Sequence, residues 1–434
     1  MEKRIFQFGI TMLFFLFVGT AFAASLELGM VDCVKAALQK NESVKAALLK
    51  LEGSEHGVSS AKGAFGPVFS ADYSFTKLED YPEMMGKRAG DSELWRLKFN
   101  IMQPLFTGFA LQSGYERAVL EKEASEQGVR LAELALIFKV QANFLGLLQA
   151  KENVKSEHDS LLRLRSHLKV IQAFYDVGLR PKLDVLQAQV KVSDAEQALL
   201  MAKTRVEVQK ARLATLLNFP PHTEITYVGG LKKPEFKRKI DQCLQTAFEK
   251  RPDLRVAGKN VELAQKAVRL IESDLYPHVA ANFDYLRRGD DYSVSGSRFQ
   301  KEEEWQVTVG LNWKFFEWNK TANARKRAQK AALSLVSAFE NQKKEVEYEV
   351  MANYLRIEEA FKRIDVAQKA LEAAKESFRI ATARYKSQVG TNTDVLDAQA
   401  MVTKGEAALT QAMAEYSKSI AALYFSIGEK RLSL

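Results

Sequence analysis

Residues 95–108 read WRLKFNIMQPLFTG, and residues 305–318 read WQVTVGLNWKFFEW. After each tryptophan, apolar and polar residues alternate, which is the period of a β-strand with one apolar and one polar face. The two segments lie 210 residues apart, and landmarks of several kinds repeat at this separation: Cys33 and Cys243, Pro67 and Pro277, Phe106 and Phe316, Tyr175 and Tyr385, Asp184 and Asp394, and Leu213 and Leu423. Solenoid repeats have periods of roughly 20–50 residues, so this longer period predicts two copies of a domain-sized unit.

The repeat predicts two structural units and a short linker. The first unit covers 24–228, the linker covers 229–238, and the second unit covers 239–434. In each unit we expect a helix, then a strand hairpin, then a long helical hairpin. The strand hairpins are predicted at about 65–106 and 277–316, and the helical hairpins at about 107–219 and 317–428.

The N-terminus has the pattern of a secretory signal peptide. A short charged start at 1–4 precedes a mostly apolar stretch at 5–18, and Ala21 and Ala23 are small residues at the positions that a signal peptidase reads. We therefore predict that residues 1–23 are a signal peptide and that the mature chain is exported. An uncleaved membrane helix is the less favoured alternative, because no stop-transfer charges follow the apolar stretch.

Net charge and cysteines constrain the function less. The formal net charge is +9, but the basic residues are interspersed with acidic ones along helical segments, which is typical of solvated helix faces. Export also argues against a nucleic-acid partner. Cys33 and Cys243 occupy equivalent positions in the two copies, and they either pair in an oxidising compartment or are two small buried residues inherited by duplication. The second interpretation is favoured.

Long stretches without proline predict long helices. No proline occurs between Pro104 and Pro181, or from 315 to the C-terminus, and both stretches are rich in strong helix formers. A helix of about 68 residues would form a rod of roughly 100 Å, which needs lateral partners. The predicted long helices cover 107 to about 175 and 319 to about 385; the return helices cover 183–217 and 393–427; the entry helices cover 31 to about 62 and 240 to about 274.

The alternating segments have the length of transmembrane strands. Each has about 9–11 residues, which suffices to cross a bilayer as a tilted strand. Trp95, Trp305 and Trp313 near their ends fit an interfacial aromatic girdle, and the polar faces suit a water-filled lumen. The alternative is two half-buried hairpins packed on soluble helices. Four strands cannot close a membrane barrel, since the smallest has about eight, so several chains would have to share one barrel.

The sequence contains no recognisable catalytic or metal-binding motif. The five histidines, His56, His158, His167, His222 and His278, lack the spacing of metal ligands. No nucleophile elbow, phosphate-binding loop or cysteine-pair motif is present. We therefore predict a protein that is not an enzyme and that has no catalytic residue, cofactor or metal.

Several segments together resemble the TolC-like outer membrane efflux proteins, over essentially the whole mature length. They are QPLFTG at 103–108, YDVGL at 175–179, DVLQAQ at 184–189, VGT at 389–391 and DVLDAQ at 394–399. The resemblance implies an α+β membrane protein built from a duplicated half. Three copies would share a 12-stranded transmembrane β-barrel and a long α-helical coiled-coil barrel that extends from the outer membrane of a Gram-negative bacterium into the periplasm.

The resemblance also implies a function and its partners. The homotrimer would export small molecules, such as drugs and toxic compounds, as the exit duct of a tripartite efflux pump. Its partners would be a periplasmic adaptor (membrane fusion protein), an inner-membrane pump reached through the adaptor, and outer-membrane lipid, but no nucleic acid. The alternatives are the exit duct of a type I protein secretion system, or a periplasmic coiled-coil scaffold or adaptor without a barrel.

Matching positions of the family predict a periplasmic gate at Asp394, Asp397, Asp184 and Tyr385. Asp394 and Asp397 would form two stacked rings of carboxylates in a trimer, although helix capping by Asp394 and helix-dipole compensation by Asp397 are the simpler alternatives. The adaptor would contact the hairpin tips, at Gly178, Leu179, Gly390 and Thr391.

One position departs from the family's gate. Gly390 stands where the family's gate arginine is expected, so Arg180 and Arg384 are candidate substitutes.

Overall fold

The computed structural model describes residues 26–433, so the predicted signal peptide lies outside the described residues. The chain has an α+β fold in which two long helical hairpins continue into one small sheet. Its elements, in chain order, are β1 (Leu26–Leu28), α1 (Met30–Lys40), α2 (Glu42–Gly63), β2 (Val68–Lys77), β3 (Glu83–Met84), β4 (Lys87–Arg88), β5 (Glu93–Thr107), α3 (Ala110–Asp176), α4 (Lys182–Leu216), β6 (Ile225–Tyr227), α5 (Ile240–Lys250), α6 (Pro252–Glu272), β7 (His278–Gly289), β8 (Glu303–Asn312), α7 (Lys320–Lys386) and α8 (Asn392–Ser426).

The two long helices have the same length. α3 and α7 each contain 67 residues, and the return helices α4 and α8 each contain 35. Such a helix is a rod of roughly 100 Å. α3 starts directly after Gly108, whose φ of 59° is left-handed, and a Cβ there would lie 2.4 Å from the carbonyl oxygen of Ser273. Only glycine allows the strand to turn into the helix this close to the neighbouring segment.

The two long helical hairpins form a single layer. α3 packs on α4 and on α8, and α8 packs on α7, which leaves α4 and α7 at the two edges. Nearer the sheet, α2 and α6 pack on α3, and α6 also packs on α7. One 18-residue window of α3 is apolar enough to cross a membrane, but half of it is buried inside the chain's own core.

Each predicted entry helix is in fact two helices. The first is broken at Asn41, whose backbone is extended. Asn41 caps α2, because its Oδ1 accepts a hydrogen bond from Ser43 N–H at 2.9 Å. Its Nδ2 also donates to the carbonyl oxygen of Leu216 at 2.9 Å. The second is broken at Arg251, because the residue before Pro252 is driven to extended geometry. The predictions of continuous helices over 31–62 and 240–274 were therefore wrong at these capping residues.

The sheet is antiparallel, with the strand order β2-β5-β7-β8. The register pairs Phe75 with Trp95 and Tyr285 with Trp305. β5 is longer than predicted: it runs through Pro104 to Thr107, with a bulge between Pro104 and Phe106, so Pro104 lies inside the strand and not at its junction with the helix. Proline is tolerated at this point because a bulge already interrupts the ladder.

Two short elements escaped the sequence patterns. β1 and β6 form a parallel pair of three residues each, which is too short to produce a periodicity. They close a core that contains Cys33 and Phe144, whereas Cys243 lies in a second core with Val350. Both cysteines are buried free thiols, so they do not pair, and burial raises the pKa of the Cys33 thiol to about 12.

Candidate functional site

The sheet has one apolar and one polar face, and neither is covered by the helices. The apolar face continues from strand to strand. Tyr73 on β2 pairs with Leu97 on β5, and Phe283 on β7 pairs with Val307 on β8. Its side chains on β8 are exposed, with Trp305 at 67%. A monomeric soluble protein rarely exposes so large an apolar surface.

The polar face carries a network centred on Asp284. Its carboxylate pairs with the ammonium group of Lys98 at 2.9 Å and accepts from the amide groups of Asn100 at 2.9 Å and Gln306 at 3.2 Å. The network spans β5, β7 and β8, so this face presents ordered charged and amide groups to water.

The three predicted interfacial tryptophans lie near the two ends of the sheet. Trp95 packs on Phe75 with a ring separation of 4.4 Å, and it lies at the loop end together with Trp305. Trp313 follows β8 at the helix end, where its indole N–H donates to the carbonyl oxygen of Leu275 at 3.1 Å. An aromatic belt at each membrane interface has this arrangement.

The two helical hairpins end in turns of the same geometry. Gly178 is left-handed (φ 76°), and Leu179 N–H donates to the carbonyl oxygen of Phe174 at 2.8 Å. In the other turn, Gln388 is left-handed (φ 64°), and Val389 closes the turn in the same way. Gln388 therefore occupies the position equivalent to Gly178, although the glycine of this turn, Gly390, comes two residues later in the sequence.

Arg180 bridges the two tips. Its Nη2 donates to the carbonyl oxygen of Gly390 at 2.9 Å, and its guanidinium lies 4.7 Å from the ring centroid of Tyr385. Arg384 reaches only the carbonyl oxygen of Val389, within its own hairpin, at 3.5 Å. Of the two candidate substitutes for the missing gate arginine, Arg180 is the one that connects the hairpins.

Tyr385 is fully buried beneath this bridge, next to His167 and Phe174. Its hydroxyl has no hydrogen-bond partner among the described residues, and Asp184 does not bond to it. Burial raises the pKa of Tyr385; the charge of Arg180 opposes this shift and that of Asp184 adds to it. The structure thus brings Tyr385 and Asp184 into one cluster without a direct bond.

Asp394 and Asp397 are both exposed, on the side of α8 that faces away from Tyr385. Thr391, and not Asp394, is the N-cap of α8: Asp394 N–H donates to Thr391 Oγ1 at 3.2 Å, and Thr391 N–H donates to the Asp394 carboxylate at 2.9 Å. These hydrogen bonds from the Thr391 backbone and side chain hold the pKa of Asp394 below its ordinary value. Asp394 therefore takes part in capping as the third residue of a capping box with Thr391. In α4 the N-cap is Pro181, and Asp184 makes no capping bond with its side chain.

Sequence reasoning missed two residues of this cluster. His167 Nε2 lies 3.0 Å from Asn392 Oδ1, and Asn392 Nδ2 donates to the carbonyl oxygen of Asp184 at 3.3 Å. The sequence did contain a signal for His167. It lies three residues after Leu164 and four before Ile171, which is the spacing of residues on the buried face of a helix.

Comparisons with known proteins agree with this geometry. The outer membrane efflux protein family matches the chain twice, over residues 33–218 and 243–429. Nodulation protein T of Rhizobium leguminosarum bv. trifolii is 20% identical over 323 residues, which cover 72% of this chain and 67% of that protein. The outer membrane efflux protein BepC of Brucella suis biovar 1 is 20% identical over 299 residues, which cover 69% of this chain and 63% of that protein.

The fold is similar to that of the outer membrane protein VceC from Vibrio cholerae, with a TM-score of 0.79 and 18% identity over 92% of this chain and 96% of that one. The two family matches together cover well over half of the sequence. The chain therefore belongs to the outer membrane efflux protein family, with a TolC-like channel fold that lies in the outer membrane and extends into the periplasm.

Proposed function

We propose that three copies of this chain form one channel, which is the exit duct of a tripartite efflux pump and exports small molecules such as drugs and toxic compounds. The observation that carries this proposal is that the sheet and the helical layer each have two unpartnered edges. One edge consists of β2 and α4, and the other consists of β8 and α7. Edges of this kind close into a ring when each copy binds the next head to tail.

In the sheet, β2 and β8 are edge strands of ten residues each, and both are exposed along their whole length. A free edge is not stable in lipid, where every backbone N–H and C=O needs a partner. Pairing β8 of one copy with β2 of the next satisfies both edges. Three four-stranded sheets make a closed barrel of twelve strands.

In the helical layer, each edge carries an exposed apolar stripe at helical spacing. The stripe of α4 consists of Leu183, Leu186, Val190, Met201 and Val208, and that of α7 consists of Leu333, Tyr348, Met351, Leu355, Val366 and Ile380. Packing the first stripe on the second in a neighbouring copy continues the layer into a coiled-coil barrel.

The hairpin tips form the periplasmic entrance in this proposal. Asp394 and Asp397 line it, while Tyr385, Asp184 and the Arg180 bridge hold the two hairpins together. The tips, at Gly178, Leu179, Gly390 and Thr391, contact a periplasmic adaptor, and through it the inner-membrane pump. The name of the relative BepC, an outer membrane efflux protein, supports the efflux role of the channel.

We also propose that the chain divides into repeats at 24–228 and 239–434, joined by a linker at 229–238. The equal lengths of α3 and α7, and of α4 and α8, support this division.

Fractionation and conductance test the channel. We expect the mature chain in the outer-membrane fraction as a trimer that dissociates on heating, and the purified trimer should conduct in planar lipid bilayers. The uncovered apolar face of the sheet disfavours a periplasmic scaffold. Recovery of a soluble periplasmic monomer that does not conduct would establish that alternative instead.

A further inference from the structure

His167 lies at the boundary between the α3–α4 hairpin and the α7–α8 hairpin. It is buried, with 8% of its surface exposed. Its Nε2 is 3.0 Å from Asn392 Oδ1, and Asn392 Nδ2 donates to the Asp184 carbonyl oxygen and to Gln187 Oε1, each at 3.3 Å. We call His167, Asn392, Asp184 and Gln187 the cross-hairpin cluster. It joins α3, α4 and α8.

The hydrogen bonds of Asn392 determine the tautomer of His167. The Asn392 amide nitrogen donates to two acceptors, so its oxygen accepts, and His167 Nε2 carries the hydrogen. In the neutral ring, Nδ1 is then unprotonated. Within residues 26–433 no acceptor for a proton on Nδ1 lies within hydrogen-bond distance. A second proton would place a charge in a buried position without a hydrogen bond.

One side of the ring packs against aromatic and apolar side chains. The ring of Tyr385 packs edge-on at 5.1 Å, and Tyr385 belongs to an apolar cluster with Ile171, Val185 and Val395. α8 presents no charged side chain to the ring at this level, since Asp394 and Asp397 are exposed on its other side.

Cationic side chains outnumber acidic ones around His167. Arg163, one turn earlier on α3, and Lys386 on α7 line the same cavity of about 350 Å³ as the histidine. Arg180 stacks on the far side of Tyr385. Asp184 on α4 is the one acidic group whose charge acts on the ring.

Burial lowers the pKa of His167 below its ordinary value, and the bond to Asn392 and the charge of Asp184 only partly oppose this. The closed cluster therefore binds fewer protons than an arrangement in which water reaches the ring. The stability that this lowered pKa contributes is complete above the ordinary histidine pKa of about 6.5, and it is lost as the pH falls from there through the lowered pKa of His167.

We propose that His167 is an acid-sensitive switch at the periplasmic end of the channel. While neutral, it holds the two helical hairpins together through Asn392; when protonated, it releases them and favours an open entrance. The switch exists in one half of the chain only, because the equivalent position in the other half is Ser377. This inference rests on the proposed function, since it requires a channel whose tips close.

Conductance of the purified trimer in bilayers at pH 7.5 and 5.5 tests the switch. We expect low wild-type conductance at pH 7.5 and a rise at pH 5.5, with an upper limit of about tenfold in the open-to-closed ratio per pH unit for each protomer. His167→Gln, which still donates to Asn392 but does not titrate, should stay low at both values. His167→Arg, with a permanent charge, should conduct at both.

A control separates His167 from other titrating groups. His158→Gln, which replaces an exposed histidine on the same helix, should keep the full acid response. An acid response that persists unchanged in His167→Gln would overturn the switch. A wild-type trimer that conducts fully at pH 7.5 would overturn the switch and leave the proposed channel standing, whereas a trimer that does not conduct at either pH would contradict the channel itself.

A distance measurement tests the switch even if a variant assembles poorly and gives no reliable conductance. Val177 and Val389 are exposed at the two tips, and spin labels there report the distance between the hairpins. The distance should increase at pH 5.5 in the wild type and remain constant in His167→Gln. An equal increase in both proteins would also overturn the switch.

Discussion

Gln388 shows how a single residue misleads a comparison of the two copies. In the sequence, Gly178 lies six residues before Asp184, whereas Gly390 lies only four residues before Asp394, so the glycines alone suggest turns of different length. The structure places Gln388 in the left-handed conformation instead, at a cost of roughly 1–2 kcal/mol. Gly390 lets the turn pack closely on the end of its own helix, since a Cβ there would lie 3.1 Å from Arg384 Cβ and 3.2 Å from the Tyr385 backbone nitrogen.

Asp394 and Asp397 have an electrostatic role in the proposed channel, where they line the entrance. Replacing both by asparagine would remove the two proposed rings of charge, while the side-chain oxygen of the new amide at position 394 can still accept from Thr391 N–H. We expect block of the channel by a trivalent cation on the periplasmic side to weaken by about tenfold, because tenfold corresponds to about 1.4 kcal/mol of lost attraction. Bilayer titrations with lanthanum(III) measure this.

Asp194→Asn, an exposed carboxylate on α4, is the matched control and should leave block unchanged. If the double variant is blocked as strongly as the wild type, the two aspartates do not line the entrance.

At the scale of elements, the alternation within each strand assigns the two faces of the sheet. β8 places Val309 on the apolar face and Thr308 on the polar face, and both side chains are exposed. The break of each entry helix has a comparable local cause, at Asn41 or before Pro252, yet it was missed. The apolar spacing of a helix continues almost unchanged across one non-helical residue, so it does not reveal the break. A shift of one residue in a strand, in contrast, moves every side chain to the opposite face and is visible in the sequence.

A lysine on each face of β8 distinguishes a lipid-facing surface from a lumen-facing one. Val309→Lys should destabilise the trimer by about 2–4 kcal/mol if Val309 lies near the middle of the bilayer, and Thr308→Lys should cost far less. The amount of heat-sensitive trimer recovered from outer membranes measures both. Equal loss in the two variants would show that the apolar face does not contact lipid.

At the scale of the whole molecule, the proposed channel depends on surfaces that a single chain leaves open. The free strand edges and the apolar stripes of α4 and α7 would be covered by adjoining copies in that proposal. The family consists of efflux channels, so the prediction that the chain is not an enzyme is confirmed.

The stripe of α4 gives a direct test of assembly. Val190→Glu places a charge in the middle of the proposed contact between copies, and burying it unpaired should abolish or strongly reduce the trimer. Lys203→Glu, a larger change of charge on another exposed face of α4, should leave the trimer intact. Analytical ultracentrifugation in detergent separates the two outcomes. A trimer of normal stability in Val190→Glu would mean that copies do not meet along α4.

By itself, the sequence determined the features that repeat along the chain: the strand alternation, the proline-free long helices and the separation of 210 residues between copies. Each is encoded by neighbours a few residues apart, so a periodicity reveals it. Only the tertiary structure decided how the hairpins meet. The Arg180–Gly390 and His167–Asn392 contacts join residues 210 and 225 positions apart, and such pairs leave no local pattern because folding alone brings them together.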